Sequence, residues 1–174
     1  LDGTARALPI SADYDAFVRK PTGVVQGLFG YPVFRMDVSA MIDGGQSWQM
    51  GAILAHILFE NGLLAGKEEG SYGVVWTTGQ VDHGLSIRPV GNVRIKLERS
   101  RSYLLEQIQK GRLHAILMHP DDQKDLDDFW LSDQKMESLV PCLHAVSTLA
   151  ELTRLLKIAF QPRKMATNPL LPTG

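Results

Sequence analysis

Two residues of this 174-residue chain, Ser47 and Lys96, have the types and settings for nucleophilic chemistry. Ser47 lies in Asp43-Gly44-Gly45-Gln46-Ser47-Trp48-Gln49-Met50-Gly51, where two glycines break the chain just before a helical pattern begins. Met50, Ile53, Leu54, Ile57 and Leu58 follow at the i, i+3, i+4, i+7, i+8 positions of one face. A serine at or just inside a helix N-terminus has unpaired backbone N–H groups around it and a dipole that favours negative charge. A nucleophilic hydroxyl and its oxyanion need those surroundings. The same position also suits a serine that only caps the helix, and the residue alone does not decide between the two. No histidine stands in a diagnostic frame as its base. His56 reads as a helix-surface or satisfied core histidine, His83 falls in a hairpin turn, His114 in a strand, His119 at its end and His144 in a loop. A lysine can serve as base where burial keeps its amine neutral. Lys96 is the candidate, near the start of a second helix beside Val93, Ile95 and Leu97. Its bland alternative is a surface lysine with a snorkelling stem.

Other chemistries find little support. No two histidines share the i, i+4 spacing of a helical zinc site, and one cysteine cannot build a thiolate site. Cys142, within Leu139-Val140-Pro141-Cys142-Leu143, reads as apolar packing. Asp121, Asp122, Asp125, Asp127 and Asp128 read as a solvated face at a helix start, without the glycine and terminal glutamate of a calcium loop. There is no glycine-rich phosphate loop with a following Lys-Ser/Thr, and neither a metal nor a cofactor is expected. A hydrophobic share of 44%, a charged share of 21% and a net charge of -1 are ordinary for a soluble globular protein and give no reason to expect nucleic acid or an anionic membrane as partner. No stretch reaches the roughly 18 apolar residues of a membrane span, and no basic-then-apolar leader opens the chain. A first residue of Leu1 fits a processed product or an excised domain, and a single cysteine fits a reducing, cytoplasmic compartment.

The elements that must position Ser47 and Lys96 follow from periodicity. Tyr14, Phe17 and Val18 suggest one helical turn, and Gly23 to Phe34 reads as strands with turns at Gly27, Gly30 and Pro32. Val33 to Val38 alternates as a half-buried strand. The first long helix is expected from Ser47 to Glu60, a strand over Tyr72 to Thr77, a hairpin over Val81 to Ile87 and a second helix from Asn92 to Lys110. Leu113 to Met118 reads as a buried strand, Asp121 to Trp130 as a polar helix and Leu139 to Leu143 as a short strand. A last helix is capped by Ser147, with Leu149, Leu152, Leu155, Leu156 and Ala159 on one face. Strand and helix alternate after residue 33, which predicts an α/β domain with helices packed on a sheet. Three segments result: an N-terminal stretch (1–32), the main domain (33–160) and a Pro-rich tail or linker (161–174).

Several of these stretches resemble, in order, the proteolytic domain of Lon proteases. Val75-Trp76-Thr77-Thr78-Gly79-Gln80-Val81 followed by Arg88-Pro89-Val90-Gly91-Asn92-Val93-Arg94-Ile95-Lys96 is similar to the family's strand ending in Thr-Gly-Glu-Ile, its hairpin, its Pro-Val-Gly-Gly and its catalytic lysine, without a gap between Thr-Gly and Pro-Val-Gly. Asp43 to Ser47 resembles the Asp-Gly-Pro-Ser segment of the nucleophile with one extra residue, and Phe34 to Val38 resembles the strand feeding it. Ala115 to Asp122 with Asp125-Leu126, and Val146 to Leu152, resemble the family's later strand-Pro, Asp-Leu and closing-helix signatures. The likeness covers about residues 33 to 160. It departs at Trp48 and Gln49, where the family keeps Ala and Gly, at Asn92 for the second Gly, at Arg94, in a longer loop over Gly62 to Gly73 and in a shorter N-terminal part. Two bulky side chains beside the serine could narrow the substrate groove or alter the oxyanion pocket.

The resemblance implies a mixed sheet with packed helices, of the ribosomal protein S5 domain 2-like kind within the α/β (α+β) class. It implies a serine endopeptidase in which Ser47 is the nucleophile, Lys96 its base and Thr78 the hydrogen-bond partner that aims the amine. It also implies a protein or peptide substrate, a homo-oligomer such as a six-membered ring, and ATP use only through a separate or fused ATPase module. An inactive Lon-like domain serving as an assembly or interaction module is the alternative.

Overall fold

The structure, a computed structural model, describes residues 16–18, 23–30, 45–66, 70–126 and 136–160. Leu1–Gly45 with Gln161–Gly174 form one compact unit and Gln46–Phe160 another. The second unit holds Ser47, Thr78 and Lys96.

Its centre is a parallel three-stranded sheet in the order β1 (Val74–Thr77), β4 (Leu113–Met118), β5 (Leu143–Ala145). β4 is the middle strand and pairs Trp76 with Ile116 and Thr77 with Leu117 on one side, Leu117 with His144 on the other. Ala115 to Met118 are all without solvent exposure. That is why the run is apolar on both of its faces: a central parallel strand is covered on each side. Between β1 and β4 the chain makes a separate antiparallel hairpin, β2 (Gln80–Val81) with β3 (Ile87–Arg88). Asp82 closes its turn by accepting from the Ser86 N–H and from the Arg88 guanidinium.

Two helices cover the sheet, here α2 (Gln49–Glu60) and α3 (Val93–Gln109). Val93, Leu97 and Leu104 of α3 are buried in one cluster with Ile116 and Met118 of β4, Leu126, Met136 and Leu139. Thr77 and Leu117 point to the opposite face, where α2 packs at ordinary van der Waals distance: a Cβ at Gly51 would stand 3.6 Å from Thr77 Cγ2. The described residues are therefore a mixed α/β arrangement with helices on a parallel sheet, as the alternation of patterns predicts. Both long helices and the strands β1 and β4 fall where periodicity puts them, within two residues.

Four local expectations are corrected. Val24–Phe29, expected within a strand region, is a helix, α1. Val24, Val25, Leu28 and Phe29 lie on one helical face and are buried, and that burial overrides the β-propensity of the two valines. Gly30 does end it, in the left-handed conformation at φ 67°. Glu137–Cys142, which includes most of the expected strand Leu139 to Leu143, is a 3-10 helix. Pro141 has no N–H to give a ladder, so pairing starts only at Leu143 and takes in His144, expected in a loop. The polar helix expected over Asp121 to Trp130 is the short α4 (Pro120–Lys124); 127–130 lie outside the described residues. The last helix, α5 (Leu149–Leu155), is capped by Thr148 rather than Ser147. Thr148 Oγ1 accepts from the Glu151 N–H, and Glu151 reaches back to accept from the Ser147 N–H at 2.7 Å. Phe17 and Val18 are helical, as expected, and are buried; Tyr14, the strand Val33 to Val38 and the tail from Gln161 lie outside the described residues.

Candidate active site

Thr78 and Lys96 meet at the end of β1, and the backbone of the Ser47 turn is hydrogen-bonded to the residue that follows Thr78. Thr78 continues the strand by donating its N–H to the Leu117 carbonyl at 3.1 Å, and it is 3% exposed. Trp76 and Thr78 are two apart and so share the sheet face that α3 covers. Trp76 Nε1 donates to Ser100 Oγ at 3.1 Å, and Lys96 Nζ stands 3.4 Å from Thr78 Oγ1. The two contacts are in register for a simple reason. Two strand residues advance about 6.6 Å and four helical residues about 6 Å, so Lys96 and Ser100 on one helix face match Thr78 and Trp76 on one strand face.

Lys96 lies in the first turn of α3, half-buried between the fully buried Val93 and Leu97. Its Nζ also donates to the Gly91 carbonyl at 3.0 Å. Burial lowers the pKa of this amine from the usual lysine value, and the negative charge of Asp122 opposes the shift. The turn before the helix contains Gly91 at φ 66° and Asn92 at φ 54°, two successive left-handed residues. Asn is among the non-glycine residues that tolerate this conformation best.

Ser47 is in the turn that leads into α2, half-buried, and Trp48 rather than Ser47 occupies the N-cap position. Trp48 makes no side-chain cap bond, and among the described residues Ser47 makes none either, which speaks against Ser47 as a mere cap. Its backbone is tied to the residue after Thr78: the Gly79 N–H donates to the Ser47 carbonyl and the Met50 N–H to the Gly79 carbonyl, both at 3.0 Å. Gly79 has little room for a side chain, since a Cβ would lie 2.9 Å from Met50 Sδ and 3.0 Å from Ile87 Cγ2. A third tie comes from Gln49, 4% exposed, whose Oε1 accepts from the Val81 N–H at 3.0 Å. Gln49 therefore turns into the protein to hold the serine turn on the hairpin, and of the two bulky neighbours only the half-buried Trp48 is left to shape a groove. Gln49→Met keeps the length and leaves the Val81 N–H buried without an acceptor. A loss of about 1–3 kcal/mol in urea unfolding is expected.

Thr78 and Lys96 are thus in direct contact, and the Ser47 turn is joined to them through Gly79. The other titratable candidates are elsewhere: His56 is half-buried on α2 with its pKa lowered by burial, and His83 is exposed in the hairpin turn. His119 caps α4, its Nδ1 accepting from the Asp121 N–H. Cys142 is half-buried with its thiol pKa raised by burial, as packing predicts. Among the described residues no three of His, Cys, Asp and Glu gather as metal ligands, and no helix is long and apolar enough to cross a membrane.

Two residues of the site are missed by sequence reasoning. Gln49 reads only as a departure from small residues. Asp122 reads as part of a solvated acidic face, yet it is 1% exposed and accepts from the Val90 and Gly91 N–H groups. The only sequence signal is its place in the turn after His119-Pro120, where a carboxylate suits a helix start, and Asp121 shares that signal. Beside Thr78, the Thr77 hydroxyl is buried with no partner among the described residues. Thr77→Val keeps the shape and removes the orphan group, so thermal unfolding is expected unchanged or up to about 1 kcal/mol more stable. Comparison with family models, with curated proteins and with solved structures finds no match for this chain.

Proposed function

We propose that this protein is a serine endopeptidase with a Ser47–Lys96 dyad, folded like the Lon proteolytic domain. The observation that carries the reading is the setting of the Lys96 amine: half-buried, 3.0 Å from the Gly91 carbonyl and 3.4 Å from Thr78 Oγ1. A neutral amine has two N–H groups and one lone pair. Those two acceptors take both N–H groups, which leaves the lone pair for the proton of a serine. The Ser47 hydroxyl attacks a peptide carbonyl as Lys96 takes its proton. Lys96 then returns the proton to the leaving amine and next activates the water that hydrolyses the acyl-enzyme. The Gln49 and Met50 N–H groups are engaged with the Gln46 and Gly79 carbonyls, so the oxyanion is left to other backbone N–H groups near Ser47. The substrate is a protein or peptide. The Lon likeness adds a homo-oligomeric assembly, such as a six-membered ring, in the cytoplasm and an ATPase module, fused or separate.

A fluorophosphonate probe tests the reading: labelling at Ser47, lost in Ser47→Ala and strongly slowed in Lys96→Met, supports it. The second reading is a non-catalytic assembly or interaction module, favoured by the half-buried Trp48 at the position where the family keeps a small residue. It is the reading left if the folded protein is not labelled.

A further inference from the structure

We propose that Asp122 is a positioning residue for Lys96: its buried carboxylate fixes the Val90–Gly91 turn and so sets where the Gly91 carbonyl holds the lysine amine. The inference rests on the Ser47–Lys96 reading for what that amine does.

The carboxylate is sequestered, and a buried carboxylate is tolerated only where donors replace water. Val90 N–H donates to both Oδ1 (3.1 Å) and Oδ2 (3.0 Å), and Gly91 N–H donates to Oδ1 at 2.8 Å. Its neighbour Asp121 is exposed and pairs instead with Lys124 at 2.8 Å. One aspartate of this acidic run therefore serves the Lys96 turn, and the one beside it serves its own helix.

The turn needs such a restraint. Gly91 and Asn92 both adopt the left-handed conformation, which few chains hold at consecutive positions without external contacts. The pair reverses the chain into α3 while the Gly91 carbonyl accepts from Nζ of Lys96 in the first turn of that helix. With the Val90 and Gly91 N–H groups both held on one carboxylate, the Gly91 carbonyl has less freedom to swing away from the amine. A loosened turn lets the amine leave Thr78, and a displacement of about 1 Å at a reacting group lowers a rate by roughly a hundredfold.

The test measures inactivation of Ser47 by the fluorophosphonate probe in the full chain, separating the maximal rate from the probe concentration at half-maximal rate. Asn at this position keeps one acceptor oxygen and turns an NH2 group toward a backbone donor. Asp122→Asn is expected to lower the maximal rate roughly 10- to 100-fold with the half-maximal concentration unchanged. In a Lys96→Met background it is expected to have no further effect, because its action runs through the amine. Gly91→Ala reaches the same carbonyl from the other side: there is open space for the Cβ, but the φ of +66° disfavours it. It is expected to repeat the Lys96-dependent loss with the carboxylate still paired, which covers the case of an Asp122→Asn protein that fails to fold. Equal losses with and without Lys96 overturn the positioning role, as does an unchanged rate in a folded Asp122→Asn protein. A parent that is not labelled, or a Lys96→Met protein labelled as fast as the parent, overturns the dyad reading and this role with it. A slow Lys96→Met protein beside a fast Asp122→Asn protein removes only the role of Asp122.

Discussion

Lys96→Met is expected to lower cleavage of unfolded casein by roughly a thousandfold or more while the protein stays folded, and Ser47→Ala is expected to do the same. Methionine keeps the apolar stem between Val93 and Leu97 and removes only the amine. The half-buried ammonium is disfavoured in the folded state, as the lowered pKa of Lys96 states. Taking it away is therefore expected to leave urea stability equal or slightly higher. Activity and stability then move apart, which a packing defect does not produce. Lys96→Arg sharpens the point, since arginine keeps the charge and cannot give up its proton. It is expected to be as inactive as Lys96→Met.

The same amine sets a pH dependence. In the proposed dyad Lys96 acts as a base only when neutral, so the cleavage rate is expected to rise with pH and level off above the lowered pKa of Lys96, below the plateau point of an ordinary lysine. The sign for stability follows from the same shift. Between the lowered folded pKa and the ordinary unfolded value, the unfolded chain binds the extra proton. The burial penalty is therefore fully present below the folded pKa and is relieved as pH rises through that window. Asp122 acts in the opposite sense, because its charge favours the ammonium. A rate profile with its rising limb at an unshifted lysine value, or a Lys96→Arg protein with full activity, would sink the dyad.

Leu97→Ala carries the second large effect, and on stability. Leu97 is fully buried, one residue from Lys96 on α3, in the cluster with Ile116, Met118, Leu126 and Leu139. Truncation there leaves a cavity between α3 and β4, and about 2–5 kcal/mol of unfolding free energy should go with it. A domain of this size has only about 5–15 kcal/mol in total, so the variant is expected to unfold at clearly lower urea. The fraction that remains folded should still label at Ser47, because the Lys96 hydrogen bonds to Thr78 and Gly91 do not involve the Leu97 side chain. Loss of labelling beyond the loss of folded protein would mean that the core packing of α3 sets the amine more directly than its hydrogen bonds do.

Local pattern was enough for the long elements. The 3.6-residue stripes of α2 and α3 and the continuous apolar run of β4 are each settled by burial that repeats within one segment. For that reason they lie where periodicity puts them. Short elements were not legible in the same way. The valines of α1 look like strand residues until a buried face claims them, and Pro141 shifts the start of β5 by denying the ladder one donor. Residue types and setting nominate Ser47 and Lys96, and the resemblance to the Lon proteolytic domain adds Thr78.

Only tertiary structure decided how those residues are held. The pairing of Lys96 and Ser100 with Thr78 and Trp76 depends on a helix and a strand lying along each other, which no local window contains. Gln49 and Asp122 owe their roles to partners 32 residues away, Val81 and Val90. A glutamine or an aspartate looks the same in sequence whether its acceptor atoms face water or a buried N–H. The difference lies in desolvation, and desolvation is a property of the assembled fold.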